Sequence, residues 1–315
     1  MIFQAKTQAK TFSIEFGSRN TDAVRAVMER DKTDQRGRGY YFTIIRDPLR
    51  LFISLWDYYE LGNLYGMSLE TYALSNKTGP LEDRRFWDFG RNQLMFDFGL
   101  DPKYFDDDVR VQQKIQEIDE TFDLVIISEH FDNGIILLKR ALCWSNEDIV
   151  YISHNAAQVG LKSNISEVAE RRLKDWLRSD YKLYEYFKDK FEKTIALQSQ
   201  QWMTTEIDNL ARTNKQIYDA CRVRRHKTPQ RRWFWEYHFG RNVYQYRSNS
   251  MTYHCKYLVL EAGHFLNKLR VGQFCRAFAK VVGHFLYLIL CLHPYLMLSS
   301  VVIALSYPAC LLRRR

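Results

Sequence analysis

At 315 residues the chain is long enough for one large α/β domain or two smaller ones. Its 46% hydrophobic and 26% charged residues exclude a wholly disordered polymer and call for a folded core. The net charge of +9 favours an anionic partner, a nucleotide, a nucleic acid or a membrane surface, but no finger, RNA-recognition or homeodomain pattern accompanies it, which argues against nucleic acid.

In chain order, residues 1–39 are polar and hold no persistent period, and Met1 to Lys6 lack the apolar stretch of a signal peptide. Tyr40 to Ile45 is a continuous apolar run rich in β-branched and aromatic residues, as expected of a strand buried on both faces. Asp47 is a good N-cap and Pro48 a good first helical residue, so a helix follows, with Leu51, Phe52, Leu55, Trp56 and Tyr59 on its core face. Residues 76–88 read as a loop, and Gln112 to Asp119 as an exposed helix. A second strand is expected over Asp123–Ile127 and a second helix over Asp132–Leu142, with Ile135, Ile136, Leu138 and Leu142 inward. Strand, short turn and helix, repeated, predict a parallel sheet with helices on its faces.

From Ser166 to Thr213 the pattern is long, charged and helical, with Leu173, Trp176, Leu177, Tyr181, Tyr184 and Phe187 as its apolar stripe. The basic run from Arg222 to Arg232 reads as a solvated loop. Val281 to Leu312 contains no Asp, Glu, Lys or Arg and ends at three arginines, which suits a membrane segment, although Pro294 interrupts it. The cysteines at 143, 221, 255, 275, 291 and 310 show no CxxC pairing, so no metal site is expected, and they neither require nor exclude disulfides. Asn76 and Asn164 begin N-glycosylation sequons, which matter in a lumenal protein.

The chemistry concentrates after the first strand. Arg46 ends that strand, so it lies at the carboxyl edge of the sheet, where open α/β folds bind ligands. The next helix directs its positive end to the same place, and residues 47, 50 and 54 share one helix face. An arginine fork with the Ser54 hydroxyl suits a phosphate. An ordinary strand-to-helix joint with a surface arginine fits the same residues, and the residue pattern alone leaves both readings open.

The stretch Thr43 to Tyr59 resembles the 3′-phosphate-binding motif of sulfotransferases, and most closely that of the galactose-3-O-sulfotransferase family. Arg91 to Leu100, with its Arg-Asn-x-x-x-Phe-Asp-x-Gly form, and Phe122 to Asp132 are similar to further blocks of that family. So are Leu137 to Lys139 and Leu142 to Trp144, with weaker likeness at Phe191 and at Arg212 to Asn214. The resemblance covers roughly residues 40 to 220. It implies an α/β, P-loop-NTPase-like sulfotransferase fold with a central parallel sheet, a helical C-terminal half and an appended apolar tail. It also implies sulfuryl transfer from 3′-phosphoadenosine-5′-phosphosulfate (PAPS) to the 3-hydroxyl of a terminal β-galactose, on galactosylceramide or a glycan. Arg46 and Ser54 would hold the 3′-phosphate, without a metal, in an enzyme of the Golgi membrane whose catalytic domain is lumenal.

Two departures from the family pattern stand out. Its 5′-phosphosulfate loop has only a degraded counterpart in Lys6 to Ser13, where Lys10, Thr11 and Ser13 are weak candidates and Phe12 stands where a small residue would let the backbone wrap the phosphate. The N-terminal part is therefore expected to be truncated or replaced. The segment where the family carries a histidine base has none, and the first histidine is His130. Glu129 and His130, at the end of the second strand, are weak candidates for the base, with His154 and Glu15 behind them. The expected organisation is an atypical segment over 1–39, a sulfotransferase domain over 40–220, a basic extension over 221–280 and a membrane segment over 281–315. The alternative expectation is a relic or membrane-associated binding protein that keeps the fold and lacks transfer.

Overall fold

A computed structural model describes residues 40–75, 90–152, 165–227, 244–250 and 252–259. They form a mixed α/β structure that is mostly helical around a small parallel sheet. The sequence candidates Lys10, Thr11, Ser13, Glu15, Asn76, His154 and Asn164, and the apolar 281–312 run, lie outside these residues. Among the described residues no helix is long and apolar enough to cross a membrane.

Strand β1 (Phe42–Ile45) pairs in parallel with β2 (Leu124–Ile127), from Phe42 opposite Leu124 to Ile45 opposite Ile127. The pairing begins two residues later than the apolar run suggests. At its start Asp123 accepts from the Tyr41 amide through its side chain at 2.8 Å and donates to the Tyr41 carbonyl through its backbone at 2.7 Å, a local bracket in place of a ladder. Ile45 and Val125 to Ile127 are buried, whereas Phe42, Thr43 and Ile44 are only half-buried, so β1 is less enclosed than its composition implies.

The connection between the strands carries helices α1 (Pro48–Tyr58), α2 (Leu61–Tyr65), α3 (Leu69–Leu74), α4 (Gln93–Asp97) and α5 (Asp108–Thr121). α5 is not the exposed helix expected over 112–119. Val111, Ile115 and Ile118 recur at i, i+4 and i+7 and bury one face, while charged residues hide that stripe in the sequence. After β2 comes α6 (Phe131–Ala141), whose Ile135, Ile136 and Leu138 are wholly buried, as expected. Gly134 lets α6 approach the sheet, since a Cβ there would press into the Ile126 side chain.

The helical stretch from 166 divides into α7 (Glu167–Trp176), α8 (Arg178–Ala196) and α9 (Gln200–Ala220). Ser166 and Ser199 cap α7 and α9 by accepting from the amides of Ala169 and Trp202. Leu173, Trp176, Leu177, Tyr184 and Phe187 are buried, and Tyr181 is half-buried. One core packs β1, β2, α5, α6 and α8 together. A second, aromatic one joins α1, α3 and α7, with the Phe52 ring edge-on to Trp176 at 5.2 Å between centroids.

The basic run is not a loop where it is described. Val223–Lys227 is strand β3, paired antiparallel with β4 (Tyr244–Ser248), with Arg224 directly opposite Arg247. A disulfide between Cys221 and Cys255, the latter in α10 (Tyr253–Leu258), closes the base of this ribbon. The Ser248 hydroxyl adds a bond to the Cys221 carbonyl at 2.6 Å. Cross-strand pairing supplies the backbone partners that a solvated loop would have taken from water.

Candidate functional site at the carboxyl edge of the sheet

Because β1 and β2 are parallel and in register, Arg46 and Ser128 leave the sheet side by side at its carboxyl edge. Asp47 caps α1 by accepting from the Arg50 amide at 2.8 Å, and Pro48 opens the helix. After β2 a single tight turn, Ser128–His130, places Glu129 against the same joint. One Glu129 oxygen accepts from the Asp47 amide at 3.2 Å and the other from the Tyr184 hydroxyl at 3.4 Å. The Tyr181 hydroxyl donates to the free Asp47 oxygen at 3.4 Å.

The two tyrosines come from α8 and link it to both strand ends. Burial, then the neighbouring carboxylates, pushes both phenols far above their ordinary range: Glu129 and Asp47 act on Tyr184, and Asp47 on Tyr181. At neutral pH they stay protonated and serve as donors. Sequence reasoning placed both in an apolar stripe, which is correct for their rings. The signal for their hydroxyls was available, because a tyrosine in a Leu/Phe/Trp stripe brings an O–H that must find a partner when buried.

Arg46 is half-buried, and among the described residues no carboxylate pairs with it. Ser54 is exposed on the same helix, about 10 Å along its axis from Asp47. Arg50, also exposed, lies between them on the face that residues 47, 50 and 54 share. Of the first-turn amides of α1, Glu129 takes that of Asp47 and Asp47 that of Arg50, Pro48 has none, and Leu49 is buried. An anion at this edge would therefore meet side chains on the flank of α1 rather than its amide groups. His130 is exposed and makes no capping bond. Among the described residues no group of three or more His, Cys, Asp or Glu gathers as metal ligands would.

The 91–100 block does a different job. Arg91 makes two bonds to the Asp106 carboxylate, at 3.0 and 2.5 Å, and one to the Trp176 carbonyl at 3.0 Å. Asn92, wholly buried with φ +50°, accepts from the Asp180 amide at 3.2 Å. Asp180 returns two bonds, to the amides of Leu94 and Met95 at 2.9 and 2.8 Å. This block locks α4 to α8.

Comparison with known proteins gives one consistent result. The family profile described as Galactose-3-O-sulfotransferase matches residues 20–230, about two thirds of the chain. Galactosylceramide sulfotransferase of Mus musculus and that of Homo sapiens are each 30% identical over 189 residues, 58% of this chain and 44% of theirs. Galactose-3-O-sulfotransferase 2 of Homo sapiens is 27% identical over 207 residues, 64% of this chain and 50% of its own. The chain spans about half the length of the curated relatives it matches. No solved structure matches it.

Proposed function

Since the chain belongs to the galactose-3-O-sulfotransferase family, we propose that it is a sulfotransferase acting on the 3-hydroxyl of a terminal galactose, with PAPS as the sulfuryl donor. The observation that carries this reading is Arg46 at the carboxyl edge beside the start of α1, with no carboxylate paired to it among the described residues. Arg46 and Ser54 hold the 3′-phosphate from the flank of α1, and Arg50 adds charge between them. Lys10, Thr11 and Ser13 remain the sequence candidates for the 5′-phosphosulfate. The acceptor is a galactose-ended glycolipid, galactosylceramide among them, or a glycan.

Sulfuryl transfer needs a base for the acceptor hydroxyl. Glu129 is the better placed of the two candidates. Its carboxylate is fixed by an amide and a phenol at the edge where Arg46 stands, whereas His130 has no capping bond to fix it. A lumenal, Golgi-type setting accords with the Cys221–Cys255 disulfide, which persists in oxidising compartments. The 281–312 run would supply the membrane attachment, and Asn76 and Asn164 would be open to glycosylation in the same compartment.

A second reading, a family member that holds the nucleotide without transferring sulfate, draws on Phe12 in the weakened Lys6 to Ser13 run. Titration with adenosine 3′,5′-bisphosphate and a transfer assay on galactosylceramide separate the two. Both readings expect binding, and only the first expects transfer. Arg46→Ala should weaken binding of the bisphosphate by about 10- to 100-fold, the worth of a charged hydrogen bond. Unchanged affinity would refute the assignment of Arg46.

A further inference from the structure

Away from the carboxyl edge, an open cleft of about 650 Å³ lies between the end of α6, the turn after it and the start of α9. α6 is 11 residues long and begins at that edge, so its last turn stands about 15 Å away along the helix axis. Lys139, Arg140, Trp144, Ser199, Trp202 and Glu206 line the cleft.

The indoles set its character. Trp144 is only 7% exposed, yet no acceptor for its ring N–H lies among the described residues. That N–H is not sealed from solvent, and it borders the cleft, where a ligand oxygen can take the place of its water. Trp202 is half-buried, with the Arg140 guanidinium 5.2 Å from its ring centroid.

Of the three charged groups, Lys139 and Glu206 neutralise each other, while Arg140 is held by uncharged partners. Lys139 pairs with Glu206 and also donates to the Asn146 side chain at 2.6 Å, and Arg140 donates to Gln198 at 2.8 Å. An ammonium already matched by a carboxylate has little attraction left for a strongly anionic ligand such as a nucleotide. A wholly apolar ligand would strip water from the Lys139–Glu206 pair without replacing it. What fits that neutralised pair beside two indoles is a ligand with one apolar face and several hydroxyls, one of which the Arg140 guanidinium can also bond. A pyranose has that form: its C–H face packs on an indole, and its hydroxyls bond a carboxylate, an ammonium and an N–H together. The volume falls within the roughly 300–1,000 Å³ typical of small-molecule sites.

We propose that this cleft is a second carbohydrate site, holding one pyranose of a glycan apart from the place where sulfate would be transferred. It uses none of Arg46, Ser54 or Glu129, so it stands or falls separately from the transferase reading.

The test is saturation-transfer NMR and tryptophan fluorescence titration of the full chain with methyl β-galactoside and methyl β-glucoside. Saturation transfer and a saturable fluorescence change are expected for at least one glycoside. Trp202→Ala should weaken binding about tenfold or more, while Arg46→Ala leaves it unchanged. Glu206→Gln, which keeps the shape and removes the charge, should weaken it severalfold and serves alone if Trp202→Ala does not fold by circular dichroism. No saturation transfer to either glycoside in the parent chain overturns the proposal. So does binding that neither cleft variant weakens, or binding lost on Arg46→Ala, which would put the sugar at the other site. Titration with adenosine 3′,5′-bisphosphate, read in parallel, reports on the transferase reading alone.

Discussion

Asp180→Ala tests whether the 91–100 block is a lock. α4 has five residues, too few to sustain itself, and its own N-cap, Asn92, makes no side-chain bond to it. Asp180 provides the cap from another helix, accepting from the second and third helical amides. Alanine leaves those two amides unpaired where Leu94 and Met95 are 7% and 0% exposed. Each orphaned buried amide costs about 1–3 kcal/mol, and part of that is offset because a carboxylate no longer has to be buried. The net loss is about 3 kcal/mol, which for a folded region of this size lowers the melting temperature by about 6–12 °C. Asp180→Asn keeps one acceptor oxygen and should lose roughly half as much. Thermal melts of both variants by circular dichroism decide the matter. A fall of less than about 2 °C for Asp180→Ala, or a larger loss for Asn than for Ala, would refute the capping argument.

Gly134→Ala should destabilise by about 1–3 kcal/mol, because the clash with buried Ile126 outweighs the roughly 1 kcal/mol gained in helix propensity; a higher melting point in the variant would contradict this. Burial, then Tyr246, raises the Tyr218 phenol to about 12 from its ordinary 10.0, so its contribution to stability is full below about pH 10 and lost as pH rises through about 12. Absorbance titration at high pH should show Tyr218 ionising in a late step near pH 12, apart from the tyrosines that ionise near 10, and Tyr218→Phe should remove that step. Cutting the Cys221–Cys255 bridge, whose ends are 34 residues apart, should cost about 3–4 kcal/mol by the loop-entropy argument. Hydrogen exchange at β3 and β4 should quicken on mild reduction, and equal exchange before and after would show that the bridge does not hold the ribbon.

The parts of the fold that were legible in the sequence are those where one local rule dominates. Asp47-Pro48 announces a helix start because cap and first turn are adjacent in sequence, and β2 with α6 shows its apolar period openly. α5 was misread for exposure because its three buried residues are separated by glutamines and charges. The β3–β4 ribbon was misread as a loop because its partner strand lies beyond residues 228–243, and strand pairing across that distance leaves no local trace. At the site, Arg46 and Glu129 were visible as types just past strand ends, and Asp47 and Ser54 as types at the cap and on the flank of the helix that follows. That Glu129 binds the Asp47 amide was not, since the two are 82 residues apart and meet only when β1 and β2 align.

One stretch of α8 ties these observations together. Asp180, Tyr181 and Tyr184 occupy little more than its first turns: Asp180 caps α4, Tyr181 bonds Asp47, and Tyr184 bonds Glu129. The residues that secure the helix are thus neighbours of those that set the carboxylates at the sheet edge. Tyr181→Phe and Tyr184→Phe keep the packed rings and remove only the hydroxyls, so they separate these two duties. If the hydroxyls position the edge, both variants should retain most of the parent's stability while altering the affinity for adenosine 3′,5′-bisphosphate. A large stability loss with unchanged affinity would mean that the hydroxyls serve only the fold, and that Arg46 takes its position from β1 alone.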